Sequence, residues 1–131
     1  MRKANSQCGT RVPLKERPLM SRAQAGGLAS VFKVLANDTR LRLLHALVRA
    51  EELCVTDLAD ALRMKPQAVS NQLQRLSDLG ILESRRVGTS VYYQLVDRCV
   101  SGLLDQGWCL TEEVGGRSRL TGRAAECCER R

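Results

Sequence analysis

The stretch Lys65–Leu82, KPQAVSNQLQRLSDLGIL, decides the fold. Pro66 suits the first position of a helix, because the N–H that proline lacks would have no partner there. Val69, Leu73 and Leu76 follow at helical spacing and face one way, whereas Gln67, Ser70, Asn71 and Gln74 with Arg75 occupy the other. The helix runs to about Leu79 and stops at Gly80. One side is suited to a hydrophobic core and the other, rich in amides and a hydroxyl, to a polar partner or to solvent.

Upstream, Val55 to Leu62 reads as a short helix, with Asp57 three residues after Cys54, where a carboxylate complements the positive helix end. Arg63-Met64-Lys65 then leaves room only for a tight connection. Before it, Thr39 to Ala50 carries Leu41, Leu44, Leu47 and Val48 at helical spacing, with Asn37-Asp38 able to cap its start. From Arg22 onward, Leu28, Val31, Phe32 and Leu35 define the apolar face of a first helix. Downstream, Ile81-Leu82 and Val91 to Val96 are β-type runs joined across Arg85-Arg86-Val87-Gly88-Thr89, which predicts a hairpin with a basic tip. A last helix is expected over about Asp97 to Glu113, with Val100, Leu103, Leu104 and Trp108 along it. Residues 1-20, with Gly9, Pro13 and Pro18 among charges, are expected to be a flexible basic arm. Residues 114-131 are expected to be a flexible, basic, cysteine-containing tail, leaving 21-113 as the folded domain.

A chain of 131 residues fits one domain, and 44% hydrophobic against 27% charged residues is the balance of a chain that folds. Aromatics are only 3%, so Leu, Val and Ala must build the core, as in packed helices. No apolar run approaches the roughly 20 residues that cross a bilayer, and no apolar signal opens the chain. A soluble, cytoplasmic protein without a membrane partner is expected. The net charge of +7 divides into +5 over residues 1-25, −1 over 26-113 and +3 over 114-131. Basic ends around a near-neutral middle suit nucleic acid, although solubilising tails give the same arithmetic.

Two short helices joined by a tight turn and followed by a hairpin make a winged helix-turn-helix, mainly α with a β-hairpin. In that fold the second helix of the pair enters the major groove, and Gln67, Ser70 and Asn71 lie in its N-terminal half, where base contacts are made. Gln and Asn pair bidentately with adenine, while Arg85 and Arg86 on the hairpin can neutralise phosphates. An enzyme is not expected. His45 is the only histidine, and neither a nucleophile-base pair nor a glycine-rich phosphate loop is visible.

The ordered motifs LANDTRLRLLHAL (35-47), ELCVTDLADAL (52-62), KPQAVSNQLQRLSDLGIL (65-82) and SRRVGTSVYYQL (84-95) resemble the ArsR/SmtB family of metal-responsive bacterial repressors. The resemblance implies a homodimer paired through the first and last helices, bound to an imperfect inverted repeat in double-stranded operator DNA and released when a metal ion binds. It puts base contacts on Gln67, Ser70 and Asn71, with Arg75 on the same polar face, and wing contacts on Arg85, Arg86 and Thr89. Lys65 stands where the family usually has a capping Ser or Thr, which leaves Pro66 to hold the helix start and lets Lys65 reach phosphate. Asn37-Asp38-Thr39 replaces the commoner Asp-Pro-Thr.

Six cysteines without a secretion signal are expected to stay reduced, as free thiols or metal ligands rather than disulfides. The family's Cys-x-Cys-Asp metal motif is incomplete here, since the chain reads Cys54-Val55-Thr56-Asp57. Cys54 is either a ligand favoured by the helix dipole or a small packed residue. Cys99 and Cys109 are roughly 15 Å apart along one helix and cannot share an ion within it. Across an antiparallel pair of last helices they can meet, in the manner the family builds its interfacial site. Buried interface cysteines are the plainer alternative. Cys127 and Cys128 are adjacent and either complete such a site or are merely oxidisable. With so little imidazole, the thiolates favour a soft inducer: Hg(II), Cd(II), Pb(II) or As(III). A thiol redox sensor of the same fold, or a family member without an inducer ion, are the competing expectations.

Overall fold

The computed structural model describes residues 12–115. A 3-10 turn at Leu14–Glu16 precedes five helices, α1 (Arg22–Leu35), α2 (Asp38–Ala50), α3 (Val55–Leu62), α4 (Pro66–Asp78) and α5 (Arg98–Gly115). Three strands, β1 (Leu53–Cys54), β2 (Leu82–Val87) and β3 (Ser90–Leu95), form one antiparallel sheet in the order β1-β3-β2. The chain up to Asp97 is one compact unit, and α5 opens a second.

Local chemistry sets the helix ends. Ser21 and Gln24 form a reciprocal capping box at the start of α1, and the Asn37 side chain accepts from the Arg40 backbone N–H at 3.0 Å to cap α2. Pro66 occupies the first turn of α4 and no side chain caps it, as expected for Lys65 at that place. Arg63 closes α3 in the left-handed conformation (φ 56°, ψ 50°), so the connection to α4 is a tight turn, with the Met64 N–H donating to the Ala59 carbonyl. This geometry, with the sheet beyond it, is a winged helix-turn-helix.

The core is aliphatic. Leu43, Leu44 and Leu47 of α2, Leu58 and Leu62 of α3, Val69, Leu73 and Leu76 of α4, and Leu82 of β2 are buried, joined by Tyr93. In α2 the inward face is therefore Leu43-Leu44-Leu47, and Leu41 stays 38% exposed. The spacing alone fits either stripe, and packing against the neighbouring elements selects the first. His45 is exposed, because it lies off the Leu44-Leu47 line. On α1 only Leu35 is buried, while Leu28, Val31 and Phe32 remain 41–49% exposed. On α5 Trp108 is exposed and its indole N–H donates to Glu112 at 2.7 Å.

Residues 12–20 include the 3-10 turn, and Arg17, just after it, donates from Nε to the Val12 carbonyl at 2.9 Å. The hairpin strand is longer than expected: Leu82 to Val87 pairs with Leu95 to Ser90, and only Gly88 (φ 64°) and Thr89 form the turn. The rest of the arm (1–11) and of the tail (116–131) lies outside the described residues.

Leu73→Ala at this core should lower the unfolding free energy by about 2–5 kcal/mol in urea titrations at fixed protein concentration. Leu41→Ala should cost clearly less, and equal losses would return Leu41 to the core.

Candidate nucleic-acid interface and cysteine centre

α4 is fixed to the rest of the unit by Val69, Leu73 and Leu76, each fully buried, and this leaves its polar side outward. Gln67 and Asn71 are exposed one turn apart, and the Gln67 amide donates to Asn71 Oδ1 at 3.1 Å. The Gln67 carbonyl oxygen and the Asn71 amide hydrogens remain, one acceptor and one donor group, the complement of the adenine edge in the major groove. Ser70 is half-buried beside them, and Lys65 and Arg75 are exposed at either end of the face. Gln74 is tied along the helix to Asp78 at 3.0 Å.

The hairpin carries its two arginines differently from the expected basic tip. Both belong to β2, with Arg85 opposite Tyr92 and Arg86 opposite Val91, so alternation sends them to opposite sheet faces. Arg85 is engaged. Its Nε and a terminal nitrogen donate to the two Glu52 carboxylate oxygens at 2.7 and 2.9 Å, and its guanidinium carbon lies 5.8 Å from the Tyr92 ring centroid. Arg86 is exposed, as is Thr89 in the turn. Hydrogen bonding from Arg85 holds the Glu52 carboxyl below its ordinary value of 4.5, and raises Arg85 in return.

Glu52 and Tyr92 were not singled out in the sequence. Glu52 is placed by a γ-turn at Glu51 (φ 67°, ψ −45°), closed by the Glu52 N–H donating to the Ala50 carbonyl at 2.7 Å. A non-glycine residue at positive φ leaves no trace in hydrophobic periodicity. Charge was the only available signal, in the adjacent pair Glu51-Glu52.

The cysteines fall in separate places. Cys54 pairs with Tyr92 between β1 and β3 and is a free, half-buried thiol at the start of α3, with no side-chain capping bond there. Cys99 is half-buried and Cys109 is buried at 6% exposure on α5. Both are disulfide-bonded, which corrects the expectation of reduced thiols; their spacing along α5 rules out a bond to each other. That expectation rested on compartment chemistry, which says nothing of which sulfurs the fold brings into reach. Among the described residues no group of three or more His, Cys, Asp or Glu is arranged to hold a metal ion. Cys127 and Cys128 lie outside the described residues. Among those described, no helix is long and apolar enough to cross a membrane.

Residues 37–84 match the family described as bacterial regulatory protein, arsR family. The chain is 47% identical over 85 residues to the transcriptional repressor SmtB homolog of Synechocystis, an alignment covering 65% of this chain and 64% of that protein, so it spans less than two thirds of that relative. Among solved structures it is similar to the AntR antimony-specific transcriptional repressor, with 58% identity, TM-score 0.72, and coverage of 79% of this chain and 93% of the other. It is also similar to the homodimeric winged helix-turn-helix DNA-binding domain Mb0332 from Mycobacterium bovis, with 33% identity, TM-score 0.62, and coverage of 74% and 92%.

Glu52 carries its share of wing stability above the unfolded-state carboxyl pKa, and that share is lost as pH falls through the lowered folded value. The Arg85 Nε–H resonance should accordingly titrate with an inflection below 4.5, the ordinary value of Glu52. An inflection at or above that value would detach the two groups in solution.

Proposed function

Because this chain belongs to the arsR family of bacterial regulatory proteins, we propose that it is a transcriptional repressor whose homodimer binds an inverted repeat in double-stranded operator DNA and leaves it on binding a thiophilic ion. The DNA half rests on one observation: Gln67 and Asn71 stand exposed and hydrogen-bonded side by side on a helix whose opposite side is fully buried. Base reading belongs to Gln67, Ser70 and Asn71. Phosphate contacts belong to Lys65, Arg75, Arg86 and Thr89, and to Arg85 when it exchanges Glu52 for a phosphate.

Dimerisation uses α1 and α5. The partly exposed Leu28, Val31 and Phe32 give α1 an apolar face that a second copy can cover.

The inducer is a soft ion held by cysteine thiolates. The likeness to an antimony-specific repressor favours a trivalent metalloid, antimonite before arsenite, over Cd(II), Pb(II) or Hg(II). Cys99 and Cys109 are the first ligands, with Cys54, Cys127 and Cys128 as sources of a third sulfur. The donor chemistry fits: a cysteine that reaches another sulfur closely enough to bond it also reaches it closely enough to share an ion. The bound ion supplies strong sulfur bonds that draw the thiolates together. For repression to be relieved, those bonds must form better in the free conformation, by about 1.4 kcal/mol for each tenfold loss of operator affinity per coupled site.

The proton balance separates the two classes of ion. Neutral Sb(OH)3 and three thiols exchange ligands to give a trithiolate and three waters, with no net proton released. A divalent cation displaces protons from its thiols, so its affinity rises with pH. Antimonite affinity should therefore stay level across the range in which the thiols are protonated, whereas Cd(II) affinity should climb.

The disulfide-bonded state of Cys99 and Cys109 favours a second reading, a redox repressor in which thiols give two electrons and two protons to a peroxide-type oxidant. Purified, reduced dimer on operator DNA, titrated with antimonite and separately with peroxide, decides between them. Cys99→Ser and Cys109→Ser should abolish antimonite release and spare operator binding. Release unchanged in both variants would discard this site, and release by peroxide alone would install the redox reading. Gln67→Ala or Asn71→Ala should cost on the order of 1–3 kcal/mol on the operator and less on random duplex. Arg86→Ala should weaken both equally and lower the salt slope by about one.

A further inference from the structure

Arg40 is a half-buried cation in the first turn of α2, and its guanidinium faces neither solvent alone nor an acid. Its Nε donates to Gln72 Oε1 on α4 at 2.8 Å, and a terminal nitrogen donates to the Val34 carbonyl in the last turn of α1 at 2.9 Å. One side chain thus joins three helices. Its backbone is also pinned, since its N–H donates to the Asn37 cap, and Asn37 in turn follows a γ-turn in which its own N–H donates to the Leu35 carbonyl at 2.8 Å.

The two acceptors are informative. The Val34 carbonyl is one of the last-turn groups of α1 that has no acceptance from within the helix by rule, so Arg40 satisfies an end that otherwise depends on water. Gln72 follows Asn71 directly in the chain and is half-buried, between the exposed reading face and the buried Leu73. Apolar contacts through Val69, Leu73 and Leu76 fix which side of α4 faces the core, but being non-directional they set the fine rotation about the helix axis less tightly than a hydrogen bond does. A planar guanidinium gripping Gln72 from one side resists that rotation directly. The Gln67–Asn71 pair turns with the same helix.

We propose that Arg40 is a positioning residue for operator recognition: by tying Gln72 to the end of α1 it sets the rotation of α4, and with it the specificity of the reading face. This rests on α4 being the recognition helix. An arginine near DNA has a competing role as a direct phosphate contact, and the two roles leave different signatures. A phosphate contact adds affinity for every sequence and about one unit of salt slope. A positioning contact acts on the operator alone and leaves the slope unchanged.

The test uses the full-length dimer and a duplex selected by the wild-type protein from a random-sequence library. If the wild type selects no sequence, the DNA-reading proposal fails and this one falls with it; once a sequence is selected, the variants test this one alone. Given a selected duplex, Arg40→Met and Gln72→Met, each keeping an apolar stem of similar length, should lower the operator-to-random affinity ratio about tenfold with an unchanged salt slope. The double variant should lose no more than either single one, since both remove the same bond. An unchanged ratio, a slope reduced by about one in Arg40→Met, or additive losses would each overturn the proposal. Should Arg40→Met fail to fold, Gln72→Met breaks the same link from the other side and decides it.

Discussion

Everything functional about α4 depends on three buried side chains. Val69, Leu73 and Leu76 lie at i, i+4 and i+7, and their complete burial fixes which way the helix faces. Successive helical residues are turned by about 100°, so a slip of one position would carry Gln67 and Asn71 round toward the core and bring leucines out. The polar face therefore needs no special scaffold of its own. It is what remains of a 13-residue helix after the apolar stripe has been buried.

The sheet follows another constraint. β3 is its central strand, sharing ladders with β1 and β2, so the hairpin is joined to the end of α2 through only two residues, Leu53 and Cys54. The Glu52–Arg85 pair adds a bidentate contact on the same line across the sheet, Cys54-Tyr92-Arg85. An exposed ion pair contributes little to stability, and its value here is geometric: a forked contact permits few orientations of β2. The positive φ at Glu51 is the local strain that such an arrangement carries, held in place by the α2 end before it and the strand after it. Arg86, on the opposite face, stays exposed.

Much of this was legible in the sequence, and the exceptions share a cause. α3, the turn and α4 could be read because periodicity, Pro66 and Gly80 all agree on where they begin and end. β1 could not, since a two-residue strand has no period and exists only because β3 lies beside it. The basic hairpin tip was misplaced because a stretch of five residues can hold a loop, or, as here, three strand residues and a tight Gly88-Thr89 turn. Leu41 and Leu43 compete for the same stripe in α2, and spacing cannot say which neighbour will pack there. Ser21 and Gln24 did carry a capping-box signature in plain view. The cysteines show the deepest gap: sequence gives their number and chemistry, but sulfur chemistry is decided by distances of a few ångströms, which only the fold supplies.

The exposed face of α1 bears on why a single copy does not suffice for the proposed activity. α4 is about 20 Å long at 1.5 Å per residue, and in the proposed binding mode only its N-terminal half would face bases, so one copy would read a handful of base pairs. With about 1–3 kcal/mol of discrimination per base contact, that cannot separate one operator from a genome of competing sites. A second copy doubles the reading surface and makes the spacing between the two α4 helices a further constraint on the sequence. Leu28, Val31 and Phe32 then gain burial from the same event that provides specificity. Arg40 stands between the last turn of α1 and α4, bonded to both. If the proposed dimer pairs through α1, this contact gives it a direct mechanical route to the angle at which each α4 is presented.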